Sequence, residues 1–177
     1  MESTANIICV EGLTEQIVRA RMPEFLDISR VCWSEIGEEP WTEENYLKEL
    51  RNKWSLSCYA QTLAGGIAGC VIGYERGNYG PVPEDGRDFG FVSKVVVYPE
   101  YRGDNAKTPE GLRAAEAMMR CFMKAGKELG YPELRLGVLP HNQPAINFYL
   151  RLRFEVIGIR ECPDKRERIV MAYKTVE

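Results

Sequence analysis

The chain lacks any long apolar run. No stretch of about 18 apolar residues occurs, and roughly that length is needed to cross a bilayer as a helix. The first residues, Met-Glu-Ser-Thr-Ala-Asn, lack the basic segment and apolar core of a secretion signal. The formal net charge of -3 gives no general attraction to nucleic acid or to anionic membranes. We therefore expect a cytoplasmic protein that binds neither nucleic acid nor a membrane.

Metal ligands are also scarce. The chain has one histidine, His141, and its six cysteines never show C-x-x-C spacing. Zinc sites need such ligands in clusters, and disulfide frameworks are typical of small secreted domains. We expect reduced core thiols and no metal site, and we interpret His141 as a solvated turn residue in preference to a catalytic base. With 45% hydrophobic residues, the 177-residue chain has the size and composition of one domain, over residues 1–177.

The most informative stretch begins with an apolar strand. Residues 95–97 are three consecutive valines, a β-branched run typical of a strand buried on both faces. Pro99 ends the run because proline has no N–H for a strand ladder. Residues 100–107 then form a polar turn with two basic side chains.

A long helix is predicted after this turn. Thr108 suits an N-cap and Pro109 suits the first helical position. Apolar residues then recur at helical spacing as far as Leu129, and Gly130 is a typical stop signal. The sequence therefore predicts a helix of about 20 residues from Pro109. A helix N-terminus beside the end of a buried strand commonly binds anions, so a phosphate-bearing ligand is expected.

The rest of the chain alternates strand and helix patterns. Either residues 6–10 or residues 17–21 supply the first strand. Further strands are predicted over 54–61, 67–75, 91–97, 134–138, 154–160 and 169–174. Further helices are predicted from Met22, over 42–52 and over 142–152.

Two segments carry a family resemblance. Residues 97–103 read V-Y-P-E-Y-R-G, and residues 142–149 read N-Q-P-A-I-N-F-Y. In this order they resemble the V-x-P-x-Y-R-G and N-x-x-A-x-x-F/L-Y motifs of the GNAT superfamily of acyl-CoA N-acyltransferases. The resemblance covers about residues 17–174. It implies a single α/β domain with a mixed central sheet of about six or seven strands flanked by about four helices. It also favours residues 17–21 as the first strand, which leaves residues 1–12 as an N-terminal extension.

The resemblance implies an activity. The expected function is transfer of the acetyl group of acetyl-CoA, as co-substrate, to a primary amine by direct attack in a ternary complex. The partner is then a small-molecule amine or a peptide amine, and a homodimer is one expected assembly. Two alternatives stay open. One is a non-catalytic acyl-CoA-binding or regulatory domain, and the other is an acetyltransferase for protein lysines or N-termini.

The same resemblance assigns site residues. Tyr149 matches the tyrosine that protonates the leaving thiolate in many relatives, and a phenol with a pKa near 10 suits a thiol with a pKa of about 8.5. Asn142 is an N-cap by local rules and a cofactor contact by resemblance. The other implied cofactor-binding residues are Val95, Val96, Val97, Arg102, Gly103, Asp104, Asn105, Ala106, Lys107 and Gly111.

The chain departs from the family pattern at three places. Asn105 and Lys107 stand where the phosphate loop usually has small residues, and Gly111 comes several residues late. Either a short insertion still lets the loop wrap the pyrophosphate, or cofactor binding is weakened. Arg153 replaces a usual glycine. Phe91 stands near the position of a glutamate that often accepts the proton, which leaves Asp88, Glu75 or a water chain for that role.

The segment between the first two helices predicts the acceptor. It holds Glu35, Glu38, Glu39 and Trp41. Three carboxylates beside an aromatic ring would attract a cationic amine such as a polyamine, an amino sugar or a lysine-like group. A solvated loop is the simpler interpretation of the same residues.

Overall fold

The computed structural model describes residues 6–176 as one mixed eight-stranded sheet with six α-helices. The strands are β1 (Asn6–Gly12), β2 (Cys58–Thr62), β3 (Ile67–Arg76), β4 (Phe89–Val97), β5 (Ala106–Lys107), β6 (Glu133–Val138), β7 (Glu155–Glu161) and β8 (Glu167–Lys174). The helices are α1 (Glu15–Ala20), α2 (Met22–Ser34), α3 (Glu43–Leu47), α4 (Lys53–Leu56), α5 (Ala114–Glu128) and α6 (Gln143–Arg151). The α/β fold is confirmed, with more strands and helices than expected.

The strands lie in the order β5-β1-β2-β3-β4-β6-β8-β7. Only the β1–β5 and β4–β6 pairs are parallel, and the other neighbours are antiparallel. The one crossover between parallel central strands runs from β4 through β5 and α5 to β6. The carboxyl ends of β4 and β6 therefore lie at the same edge of the sheet.

The first strand is not where the resemblance placed it. Residues 6–12 form β1, which pairs antiparallel with β2, so they are part of the sheet. Residues 17–20 lie in α1, and the prediction of a strand there was wrong. The Thr14 side chain accepts a hydrogen bond from the Ile17 N–H at 3.2 Å and so caps α1. Alternation over five residues is too short a pattern to distinguish a strand from a helix. The Thr14 cap favours the helix.

The central helix α5 begins at Ala114, five residues after the predicted start at Pro109. The Thr108 hydroxyl accepts from the Leu112 N–H at 3.2 Å, and the Gly111 N–H donates to the Thr108 carbonyl at 2.8 Å. Gly111 has φ +88°, a conformation that glycine adopts without strain. Thr108 therefore caps a tight turn, and residues 108–112 form a loop between β5 and α5.

Helix α5 packs closely on β3 at two glycines, which have no side chain to hold the helix away. A Cβ on Gly73 would lie 2.6 Å from the Phe122 ring, and one on Gly69 would lie 2.9 Å from the Met118 methyl. Both helix residues are fully buried. This close approach fixes α5 on one face of the sheet. The opposite face is covered by α1 and α2, whose buried residues Val18, Phe25 and Ile28 form a second core.

The predicted helix over 42–52 is shorter and divided. A capping box between Thr42 and Asn45 starts α3, which ends at Leu47. The short helix α4 then includes Trp54, so the following strand begins at Cys58 and not at Trp54. Lys53 is 1% exposed and donates to the carbonyls of Tyr46 and Lys48. Burial lowers the pKa of the Lys53 ammonium to about 8.

The C-terminal third follows the prediction closely. Asn142 caps α6 by accepting from the Ala145 N–H at 3.3 Å, and β7 and β8 form the closing hairpin. Arg153 has φ +68°, so it adopts the left-handed conformation that glycine favours. All six cysteines are free. No helix in residues 6–176 is long and apolar enough to cross a membrane.

Candidate functional site

The sheet opens between its two central parallel strands. β4 pairs with β6 only where Gly90 to Val92 face Leu134 to Leu136. A bulge places Val92 opposite Gly73 and Lys94 opposite Ile72 on β3, so Ser93 has no partner there. From Ser93 onward the edge of β4 that faces β6 has no strand partner in the described part of the chain. Backbone N–H and C=O groups on this edge are thus available to a ligand.

A cavity of about 1070 Å³ lies at this opening. Its walls are β4, the ends of β3 and β6, the end of α2 with the loop that follows, the start of α5, one side of α6, and Arg168 of β8. The cavity has two ends with different linings. The α5 end is lined by Gly103, Asp104, Lys107, Arg113 and Ala114, and the β8 end is lined by Glu38, Trp41, Arg76, Lys94 and Arg168.

Most residues assigned from the sequence line this one cavity. They are Glu35, Glu38, Trp41, Val95, Val96, Val97, Arg102, Gly103, Asp104, Lys107, Gly111, Asn142 and Tyr149. Three do not line it. Asn105 and Glu39 are exposed on the surface, and Ala106 is buried in the core as part of β5. The side chains of Asn105 and Ala106, assigned to the cofactor, and of Glu39, assigned to the acceptor, therefore do not face a ligand in this cavity.

Arg102 is already engaged within the protein. Its Nε donates to the Val97 carbonyl at 2.9 Å, and its Nη2 donates to Glu35 at 2.7 Å. It fastens the end of β4 to the end of α2. A role in binding phosphate would require the Glu35 contact to open.

Arg113 is a cation that the sequence prediction missed. It precedes α5 directly, and its guanidinium binds both oxygens of Asp104 at 3.1 Å. Lys107 contacts the same carboxylate at 3.0 Å. These contacts lower the pKa of the Asp104 carboxyl, with the Arg113 hydrogen bond as the main cause. Arg113 was missed because the predicted helix began at Pro109, which would have placed Arg113 beyond the first turn.

Tyr149 lies on α6 and packs between Phe148 and Phe154, with ring centroids 5.2 and 6.0 Å away. Its hydroxyl makes no hydrogen bond within residues 6–176. Burial raises the pKa of the Tyr149 phenol to about 12, so it stays protonated at neutral pH. Tyr149 lines the cavity with its hydroxyl proton in place.

The sequence-based candidates for a general base lie elsewhere. Glu75 contacts Arg51 at 2.7 Å and binds Tyr131, on a separate surface depression that Asp88 also lines. Neither lines the cavity, so neither is placed to take a proton directly from an amine bound there. His141 is exposed and outside the lining. Phe91 does line the cavity.

Two of the three carboxylates in the segment after α2, Glu35 and Glu38, pair with cations of the protein itself. Glu38 contacts Lys94 at 2.5 Å and Arg168 at 3.0 Å. Burial alone would raise the pKa of the Glu38 carboxyl, but the bond to Lys94 and the nearby cations outweigh it and lower the pKa. The Lys94 ammonium lies 4.7 Å from the centre of the Trp33 ring and 5.9 Å from that of Trp41. The cation that Glu38 and these two rings hold is thus Lys94.

Lys94 and Arg168 were also missed by the sequence prediction. Lys94 gave a signal, because a charged residue within a buried strand needs a partner. Arg168 gave none, since it looks like a surface residue of the closing hairpin. Within residues 6–176 no cluster of three His, Cys, Asp or Glu side chains is placed to hold a metal ion.

Comparisons with known proteins agree on the fold. Residues 22–154 match the model of the acetyltransferase (GNAT) family. No curated protein matches the chain significantly. Three similar solved structures illustrate the likeness. The ribosomal-protein-S18-alanine N-acetyltransferase of Escherichia coli is 20% identical with a TM-score of 0.68, over 97% of this chain and 96% of that one. Naa50 of Arabidopsis thaliana, in complex with a bisubstrate analogue, is 13% identical with a TM-score of 0.67. The match covers 94% of this chain and 98% of Naa50. YncA of Salmonella typhimurium, a putative acetyltransferase with its cofactor acetyl-CoA, is 12% identical with a TM-score of 0.65. The match covers 97% of this chain and 96% of YncA.

Proposed function

We propose that this chain, which belongs to the acetyltransferase (GNAT) family, transfers an acetyl group from acetyl-CoA to a primary amine by direct attack in a ternary complex. The observation that carries the proposal is the convergence at one cavity of the free edge of β4, the N-terminus of α5 and the phenol of Tyr149. Each supplies a different requirement of acyl transfer: a place for the pantetheine arm, an anion site and a proton donor.

The α5 end is suited to the phosphates of coenzyme A. The first N–H groups of α5 have no partner within the helix, and the Arg113 side chain stands at this terminus. Lys107 adds a second cation. The pantetheine arm would then run along Val95, Val96 and Val97, whose edge toward β6 carries backbone donors. The residues present therefore fit acetyl-CoA as co-substrate.

The chemistry assigned to the protein is modest. Backbone N–H groups of β4 stabilise the negative charge that develops on the thioester oxygen as the amine attacks. Tyr149 gives its proton to the departing thiolate and regains one from solvent. Every carboxylate on the cavity wall is held by a cation: Glu35 by Arg102, Glu38 by Lys94, Asp104 by Arg113 and Glu116 by Arg120. We therefore assign removal of the amine proton to water.

The test is a turnover assay with acetyl-CoA and a panel of small amines and peptides, with released thiol as the readout. Acetylated product and stoichiometric free thiol are expected. The logarithm of kcat/KM should rise with pH at unit slope up to the pKa of the acceptor amine, because no enzyme carboxylate acts as base. Tight binding of coenzyme A without thiol release from any acceptor would favour a non-catalytic binding domain. A break in the profile near pH 5 would point to a carboxylate base.

A further inference from the structure

The β8 end of the cavity carries more positive than negative charge. Arg76, Lys94 and Arg168 line it, and Glu38 is the carboxylate among them. Glu38 is 13% exposed and is shared by Lys94 and Arg168. One buried carboxylate between two cations leaves no negative charge for a cationic ligand.

Arg168 has an unused hydrogen-bond donor. Its Nη2 donates to Glu38 at 3.0 Å and to Asp164 at 3.1 Å. Its Nη1 is buried and has no hydrogen-bond partner within residues 6–176. A buried guanidinium nitrogen without an acceptor is costly, so a ligand that supplies an acceptor there would bind favourably. The two carboxylates hold one branch of the guanidinium and thereby fix the direction of the other.

Arg76 is a second cation at this end, and unlike Arg168 it has no ion-pair partner in the described part of the chain. It contacts no carboxylate within 4 Å among the described residues, and its Nε reaches only the Asn78 side chain, at 3.4 Å. Its guanidinium lies 4.9 Å from the Tyr79 ring centre and 5.0 Å from that of Phe91, so aromatic faces hold it at the cavity wall. Tyr79 in turn packs against Gly137 of β6, which places this group beside the opening of the sheet.

We propose that the acceptor amine of this enzyme carries a carboxylate, which Arg168 binds through its free nitrogen with Arg76 as the supporting cation. The proposal rests on the proposed function and replaces the cationic acceptor that the acidic segment suggested. A guanidinium matches the planar carboxylate, and hydrogen bonds between charged groups are shorter and stronger than neutral ones. The acceptor is thus an amino-acid-like molecule.

The experiment compares matched triplets: an amino acid, its carboxamide and the corresponding decarboxylated amine. The triplets should include aromatic and aliphatic side chains and ω-amino acids. Rates are expressed per neutral amine, since the three differ in amine pKa. The carboxylate form is expected to have a kcat/KM at least about 10-fold higher than the other two.

Arg168→Gln should raise KM for the carboxylate acceptor by about 10-fold or more and change KM for the carboxamide less than about 2-fold. Arg168→Lys keeps the charge near Glu38 and should lose only part of the affinity. The matched control is Arg166→Gln. Arg166 also lies near Glu38, at 3.7 Å, and binds Asp164, but it does not line the cavity. Its variant should leave all acceptor KM values unchanged. Thermal unfolding confirms that each variant folds.

The outcomes separate the two proposals. Acetylation of all three forms at equal rates, or equal losses in the Arg168 and Arg166 variants, would overturn the carboxylate proposal and leave the acetyltransferase proposal standing. If no amine is acetylated, calorimetry with the triplets in saturating coenzyme A still decides the site. Carboxylate-dependent binding that Arg168→Gln abolishes would support it, and its absence would overturn it.

Discussion

Each end of the cavity contains a carboxylate between two cations, but the surroundings differ. At the α5 end Asp104 lies between Lys107 and Arg113, and these side chains are 64%, 38% and 54% exposed. At the β8 end Glu38 lies between Lys94 and Arg168, and the exposed fractions are 13%, 19% and 13%. We call them the exposed triad and the buried triad.

The difference lies in how easily a carboxylate can be exchanged for a ligand. An exposed ion pair is worth little because water and salt compensate its charges. A phosphate can therefore take over Lys107 and Arg113 from Asp104. Breaking a buried pair leaves a charge without a partner, which is costly. The buried triad is thus a fixed part of the wall that orients Arg168.

The largest expected effect comes from Tyr149, which belongs to neither triad. Tyr149→Phe removes one hydroxyl and should lower kcat by about 100-fold or more, since the thiolate loses its proton donor. KM for acetyl-CoA and for the acceptor should change little. Steady-state kinetics on an accepted amine measures this. Tyr101→Phe is the control. It removes the same hydroxyl from a tyrosine that also lines the cavity but does not lie on α6. An unchanged kcat in Tyr149→Phe would exclude the phenol from the reaction.

The second prediction compares stability. Glu38→Gln should lower the free energy of unfolding by about 2 kcal/mol, because Lys94 and Arg168 lose a buried partner. Asp104→Asn, the equivalent change in the exposed triad, should leave stability almost unaltered. Urea unfolding at pH 7 measures both. Equal losses would mean that burial does not distinguish the triads.

The Glu38 effect should also depend on pH. The folded-state pKa of Glu38 lies below its unfolded value of 4.5, so the unfolded chain binds more protons between the two values. The stability that Glu38 contributes is therefore present above about pH 4.5 and is lost as the pH falls through the lower folded value. The difference between wild type and Glu38→Gln should shrink over that acid range. A constant difference from pH 7 to pH 3 would contradict this.

The smallest effects are expected at the exposed triad. Arg113→Ala should weaken coenzyme A binding by about 10-fold and leave pantetheine, which lacks the phosphates, unaffected. Asp104→Asn should tighten coenzyme A by a few-fold, because a competing carboxylate is removed. Calorimetry at low salt measures both. Arg120→Ala is the control, since Arg120 lies further along α5, paired with Glu116. A loss of pantetheine affinity in Arg113→Ala would show that the side chain acts elsewhere than at the phosphates.

Much of the fold was predicted correctly because several independent sequence signals indicated the same element. The α6 helix has an Asn142 cap, a proline in its first turn and a periodic apolar face, and its predicted bounds are within one residue of those observed. Gly130, with φ +79°, ends α5 as expected. Where one signal had two uses, the prediction failed. Thr108-Pro109 suits a helix start and a tight turn equally well, and the hydrogen bond from the Leu112 N–H chooses the turn.

The sequence by itself determined the family and the positions of β4, α6 and Tyr149, because ordered motifs with caps and buried strands are encoded within a few neighbouring residues. Only the tertiary structure decided how the charges pair. Glu38 meets Lys94 and Arg168 across 56 and 130 positions of the chain, and no local rule relates them. Burial makes those contacts costly to break, and one nitrogen of Arg168 has no partner in the described chain. The proposed preference for a carboxylate acceptor therefore rests on a three-dimensional arrangement that the composition of the loop alone does not suggest.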